Sequence, residues 1–184
     1  GYKTKIIVRD RKRMQIESPF VEIIEAQVTQ PESLKGLLDD IDVVISTIGI
    51  TRQKDGLTYM DVDYKANMNL LFEAKTSGVQ KLIYISALNA DKLRHLKILE
   101  AKELFVDELK ASGLDYTVIR PNGFFSDMSD FLTMAKGGTV YLFGEGDCKI
   151  NPIHGADLAE VCVDAIYKPD KDIDIGSPEI LTQN

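Results

Sequence analysis

One helix face contains the side chain best suited to chemistry. The face carries four residues spaced four, three and four apart: Ile98, Lys102, Phe105 and Leu109. Residues at these spacings lie on the same side of an α-helix. A lysine in an apolar stripe either extends its ammonium group to water or contacts a partner. Lys102 is therefore a candidate ligand-binding residue, the alternative being a packing role at the edge of the stripe.

A basic cluster at the start of the chain is the second candidate. Residues 1–13 contain six lysines and arginines and one acid, Asp10, whereas the whole chain carries a net charge of −7. A nucleic acid needs an extended positive face, so this balance predicts a small anionic ligand and no nucleic-acid partner. The other interpretation is a solvated surface loop.

Alternating strands and helices must position these residues. Apolar runs predict strands at 5–8, 21–25, 42–46, 81–85, 116–119 and 173–175, and helices are predicted from Pro31 and over about 62–76, 96–111 and 155–167. Strands joined through helices run parallel, connected by right-handed crossovers. The 184 residues are long enough for a sizeable core and show no linker or repeat. The sequence therefore predicts one Rossmann-like, doubly wound α/β domain over residues 1–184.

Ligands of such folds bind beyond the carboxyl ends of the strands, so the strand exits are the predicted site. Most exit residues are small, polar or glycine, which allows a ligand to approach the backbone closely. The predicted binding residues are Arg9, Asp10, Lys12, Ser46, Thr47, Ile48, Gly49, Ile85, Ser86, Pro121, Asn122, Gly123 and Phe124.

The usual Gly-rich phosphate loop is absent from the sequence. None of the 13 glycines forms G-x-G-x-x-G or G-x-x-G-x-x-G, and the strand at Lys5–Val8 is followed by the basic cluster instead. Arginines after the second strand of a dinucleotide fold pair with the 2′-phosphate of NADP. We therefore expect the chain to begin at the second βα unit, leaving the place of a first strand between 5–8 and 42–46 unfilled.

Four runs resemble the atypical short-chain dehydrogenase/reductase family related to NmrA. They are Ser112–Met128, Val79–Ser86, Asn151–Ala159 and Gly176–Thr182. The resemblance implies an NAD(P)-binding Rossmann domain, with part of a small substrate-binding region in about 124–154.

The family pattern implies roles for individual residues. Lys102 matches the lysine that holds the nicotinamide ribose, and Ser86 matches the serine, so these two are the predicted catalytic residues. Ile98 stands where the family's proton-donating tyrosine would be, and an alkyl group transfers no proton. Tyr59 and Tyr64 are possible substitutes, although Tyr64 also fits a packing role.

Two functions remain open at this point. One is an NADP(H)-binding oxidoreductase acting on a small organic substrate, with NAD also possible because Asp10 follows Arg9 directly. The other is a non-catalytic sensor that reports the redox state of the dinucleotide to a protein partner. The missing tyrosine favours the sensor.

Other classes find little support in the sequence. Cys148, His154 and Cys162 lack metal-ligand spacing. Tyr167 and Lys171 have the Tyr-x-x-x-Lys spacing of a catalytic pair, but Pro169 breaks the helix that would bring both side chains onto one face. No apolar run approaches the roughly 20 residues of a membrane span. Two cysteines make no disulfide framework, so we expect a cytoplasmic protein without a metal or a membrane.

Overall fold

The computed structural model describes residues 2–50, 56–141 and 144–182. Its strands are β1 (Thr4–Val8), β2 (Val21–Glu25), β3 (Val43–Ser46), β4 (Lys81–Ile85), β5 (Asp115–Pro121) and β6 (Asp172–Ile175). Its α-helices are α1 (Asn67–Thr76), α2 (Lys97–Ala111), α3 (Ser129–Lys136) and α4 (Gly155–Ala165). A π-helix, Met60–Ala66, leads directly into α1, and short 3₁₀ helices cover Arg11–Arg13, Pro31–Ser33 and Phe125–Met128.

The strands form two parallel ladders. β1 pairs with β2, and a second sheet has the order β3-β4-β5-β6. Among the described residues no ladder joins β1 to β3. All of these ladders are parallel, which confirms the predicted parallel α/β fold.

The hydrophobic core lies on both faces of β4, all five residues of which are buried. On one face Tyr84 packs with Phe105 and Leu109 of α2 and with Leu70 of α1. On the other face Ile83 belongs to a cluster with residues of β5 and α4. A strand covered on both sides needs a continuous apolar sequence, which explains why β4 has the predicted bounds.

Three segments differ from the predicted elements. The helix expected from Pro31 is only a 3₁₀ turn, because Gly36 and Asp40 adopt φ values of +74° and +61° that interrupt a helix. Buried Leu34 and Leu38 anchor this segment instead. The helix expected from residue 62 begins as the π-helix. α3 forms between 119 and 155, where the sequence predicts neither a strand nor a helix, and it has no buried residue of its own.

Within residues 2–50, 56–141 and 144–182, no helix has the length and apolar character that crossing a bilayer requires.

Candidate functional site

An ion pair lies where β3 ends. Lys102 Nζ, from α2, is 2.9 Å from Asp63 Oδ1, from the π-helix, and the Asp63 side chain is fully buried. Oδ1 has no hydrogen-bond partner among the described residues, so this contact is an ion pair without the alignment of a hydrogen bond. The predicted lysine therefore lies at a strand exit, beside a carboxylate that the sequence analysis missed.

The backbone after β3 contacts both charged groups. The amide of Ile50 donates to Asp63 Oδ2 at 3.3 Å. A Cβ on Gly49 would lie 2.7 Å from Asp63 Oδ1 and 2.9 Å from Lys102 Nζ. Distances this short require atoms to move, so a glycine is what fits beside the pair.

Ser46 is tied to the start of α1. Its hydroxyl donates to Asn67 Oδ1 at 2.5 Å, and Asn67 Nδ2 donates to the carbonyls of Asp63 (2.9 Å) and Ile48 (3.3 Å). Asn67 is fully buried and occupies the junction between the π-helix and α1. It thereby holds the π-helix against the exit of β3, the segment that presents Asp63.

Ser86 lies in a different polar group. Its hydroxyl donates to Glu103 Oε1 at 2.8 Å, and Arg120 binds Glu103 through both Nη atoms, at 2.6 and 3.0 Å. All three residues are buried. Burial acts to lower the pKa of Arg120, but its hydrogen bond with Glu103 and the charge of Glu103 raise that pKa above its ordinary value. Ser86 thus donates to one member of a buried ion pair, Glu103, which is the residue after Lys102 in the sequence.

Tyr84 borders the ion pair from β4. Lys102 Nζ lies 5.5 Å from the centre of the Tyr84 ring, within cation–π range. Burial raises the pKa of the Tyr84 hydroxyl well above its ordinary value, and so do the charges of Asp63 and Glu103. Tyr84 therefore contacts Lys102 through the face of its ring, and its hydroxyl stays protonated.

A cavity of about 480 Å³ opens at the end of β1. It is lined by Val8, Arg9, Asp10, Arg13 and Met14. The Asp10 side chain accepts a hydrogen bond from the Lys12 amide at 3.0 Å and so caps the 3₁₀ turn. The structure places Arg9, Asp10 and Arg13 of the basic cluster here, whereas Lys12 does not line the cavity.

Asn151 organises the exits of β5 and β6. Its Oδ1 accepts from Asn122 Nδ2 at 3.2 Å, and its Nδ2 donates to the carbonyl of Ser177 at 2.6 Å. A Cβ on Gly176 would overlap the Asn151 amide. The sequence predicts Asn122 as a binding residue, whereas no spacing pattern marks Asn151.

The two phenylalanines after β5 have different surroundings. Phe124 packs against the core cluster on the α4 face and pairs with Ile153 in a short parallel bridge. Phe125 is 39% exposed and lines a second cavity, of about 270 Å³, with Leu181 and residues 177–179. Only Phe125 thus has the position of a pocket wall.

Several other predicted residues have mainly structural surroundings. Ile85 and Pro121 are buried in their strands, and Ile48 packs against the core, as does Tyr64. Ile98 is half-buried on the same helix as Lys102. Among the residues that the structure describes, no group of three His, Cys, Asp or Glu could hold a metal ion.

Known proteins resemble this chain in sequence. Residues 1–169 match the family model described as NAD(P)H-binding. The photosystem II assembly factor Ycf39 of Cyanophora paradoxa is 33% identical over 129 residues, which cover 70% of this chain and 40% of that protein. The chloroplastic divinyl chlorophyllide a 8-vinyl-reductase of Cucumis sativus is 30% identical over 146 residues, covering 76% of this chain and 35% of that protein. The chain thus spans less than half the length of these two relatives.

A solved structure resembles the fold. The NADPH-dependent quinone oxidoreductase QOR2 of Escherichia coli, complexed with NADPH, matches with a TM-score of 0.74 at 21% identity, over 97% of this chain and 61% of that one. At this identity the match shows a shared fold, which confirms the predicted Rossmann-like class. With its family model matched over residues 1–169, this chain belongs to the NAD(P)H-binding family.

Proposed function

We propose that the protein is an NADP(H)-dependent oxidoreductase of the atypical short-chain dehydrogenase/reductase type, acting on a small organic acceptor. The observation that carries the proposal is the ammonium group of Lys102 at the exit of β3. Its side chain is 13% exposed, and Nζ lies 2.9 Å from Asp63 Oδ1. The N–H donors that are not directed at Asp63 are available to the hydroxyl groups of a ribose.

The residues present fit a dinucleotide. Arg9 and Arg13 line the cavity at the exit of β1, where their charge suits a phosphate group. Gln27, which follows β2, has a buried Oε1 without a hydrogen-bond partner among the described residues, so it could accept from an exocyclic amine. These residues support binding of NADP, and Asp10 in the same cavity keeps NAD as a weaker ligand.

The bound nicotinamide supplies a hydride for reduction. The chain's part is to hold the ribose through Lys102 and to form a substrate wall from Phe125 and the surrounding region, about 124–154. Ile98 provides no proton at the tyrosine position, which favours acceptors whose extended conjugation takes up a hydride without a proton from that position. Two similar proteins, the Escherichia coli quinone oxidoreductase and the Cucumis sativus vinyl-reductase, are named for acceptors of this conjugated class, which supports the proposal.

Replacing Arg9 by alanine tests the choice of dinucleotide. We expect the full-length protein to bind NADPH more tightly than NADH, and Arg9→Ala to weaken NADPH binding about tenfold because a charged contact to phosphate is lost. Binding of NADH should change less than twofold, and Lys75→Ala, an exposed lysine on α1, should change neither. Fluorescence titration with both dinucleotides measures this. Equal affinities that Arg9→Ala leaves unchanged would contradict the assignment of NADP.

Replacing Lys102 by methionine tests the reaction. Methionine keeps most of the side-chain volume but removes the ammonium, so NADPH oxidation with a quinone acceptor should fall about 100-fold. Lys65→Met, which removes an exposed lysine of the π-helix, should retain the rate. The rate of NADPH oxidation is measured spectrophotometrically with a panel of quinones and conjugated vinyl compounds. Full activity of Lys102→Met would exclude the proposed role.

The second candidate is a dinucleotide sensor without turnover. Ile98 at the tyrosine position favours it. A sensor would bind NADPH, consume none of it with any acceptor, and recruit a protein partner in only one redox state of the dinucleotide. A pull-down in NADPH and in NADP⁺ separates this candidate from the enzyme. The cytoplasmic location stays a prediction.

A further inference from the structure

We propose that Asp63 is a positioning residue, which together with Gly49 holds the Lys102 ammonium in place for the dinucleotide. The inference rests on the proposed function and assigns a role to two residues beside its lysine. The Asp63 side chain has no exposed area with which to touch a ligand. It would therefore act on a ligand only through Lys102.

The charges of the pair explain why each needs the other. A fully buried carboxylate without a partner is costly, and so is a lysine that is 87% covered. The ion pair neutralises both charges and leaves the N–H donors of Lys102 that are not directed at Asp63 for a ligand. An ammonium anchored by charge but free to donate is suited to hold ligand oxygens.

Gly49 supplies an independent observation. Its backbone φ is outside the left-handed region that favours glycine, so the conformation of the chain does not require glycine here. The space does, because a Cβ would lie within 2.9 Å of both charged atoms. The missing side chain thus serves the Asp63–Lys102 pair rather than a turn.

The alternative is a purely structural ion pair that joins α2 to the π-helix. Loss of such a pair would lower the stability of the fold. It would change the Kd for the dinucleotide no more than another substitution that destabilises the fold by the same amount. A positioning role instead predicts that disturbing the ammonium by any route weakens binding. It also predicts that Asp63 no longer matters once the ammonium has gone.

A double-mutant cycle in the full-length protein separates these possibilities. NADPH binding is titrated by fluorescence for wild type, Asp63→Asn, Lys102→Met, the double variant and Gly49→Ala. We expect each single variant to raise the Kd for NADPH about tenfold, and the double variant to bind as Lys102→Met does. Asp164→Asn, which removes an exposed ion pair with Lys168 on α4, is the matched control and should bind as wild type.

Each outcome decides a different question. Wild-type affinity in both Asp63→Asn and Gly49→Ala, or a double variant whose loss is the product of the two single losses, would overturn the positioning role. If Asp63→Asn fails to fold, Gly49→Ala decides alone, because it leaves every charge in the chain intact. A wild-type protein that binds no dinucleotide would overturn the proposed function, and the inference with it.

Discussion

Replacing Glu103 by leucine is expected to lower the free energy of unfolding by about 3–5 kcal/mol. Glu103 accepts from both Nη atoms of Arg120 and from the Ser86 hydroxyl, and all three residues are buried. Leucine would leave the guanidinium without its main counter-charge, with only Asp172 at 3.5 Å from Nε. Urea denaturation followed by circular dichroism measures the loss.

The paired change makes this prediction sharper. In Glu103→Leu/Arg120→Met both charges are gone, so the double variant should be more stable than Glu103→Leu alone. Asp107→Asn breaks the exposed pair between Asp107 and Arg94, and should cost less than about 1 kcal/mol. A loss below 1 kcal/mol in Glu103→Leu, or additive losses in the double variant, would show that the buried network contributes little.

Replacing Gly176 by alanine is the second large effect. The added Cβ would overlap the Asn151 amide and force it away from Asn122 and from the Ser177 carbonyl. Overpacking and the loss of two hydrogen bonds should together lower the free energy of unfolding by about 2–4 kcal/mol. Thermal unfolding of the variant against wild type measures it.

A second substitution identifies the cause of that loss. Asn151→Ala removes the overlapping amide, so adding it to Gly176→Ala should cost less than the two single losses together. Gly155→Ala is the matched control, because no atom lies within 4 Å of its added Cβ and alanine favours the helix that begins there. An unchanged melting temperature in Gly176→Ala would contradict the assigned packing.

Most of the sheet follows from sequence because its strands are continuous apolar runs. β2 and β4 have the predicted bounds, and β1, β3 and β6 differ by one residue at one end. β5 is longer by one residue at its start and by two at its end. The helix expected from Pro31 fails because two positive φ values interrupt it, and one of these belongs to Asp40, a residue that propensity alone does not mark. α3 escapes prediction because it has only eight residues and none of them is fully buried.

The site is predictable only where one element defines it. Lys102 stands out because its neighbours on the helix face are apolar. Its partner Asp63 lies 39 positions earlier, and nothing in the spacing of two distant residues reveals that helices bring them together. An acidic residue in an otherwise core-facing position, between buried Val62 and Ala66, is the signal that could have indicated Asp63.

The unequal burial of the strands has a consequence for cooperativity. Side-chain contacts connect β1 and β2 to the rest of the described fold, including Lys5 with the carbonyls of Leu37 and Asp39, and Asn69 with that of Val28. β1 and β2 contain no fully buried residue, whereas all five residues of β4 are buried, so the amide protons of β1 and β2 should exchange more readily. Arg9 follows β1, and Lys102 lies beside Tyr84 of β4. A ligand that contacts both would act as a cross-link, and its binding energy would appear partly as slower hydrogen exchange in β1 and β2.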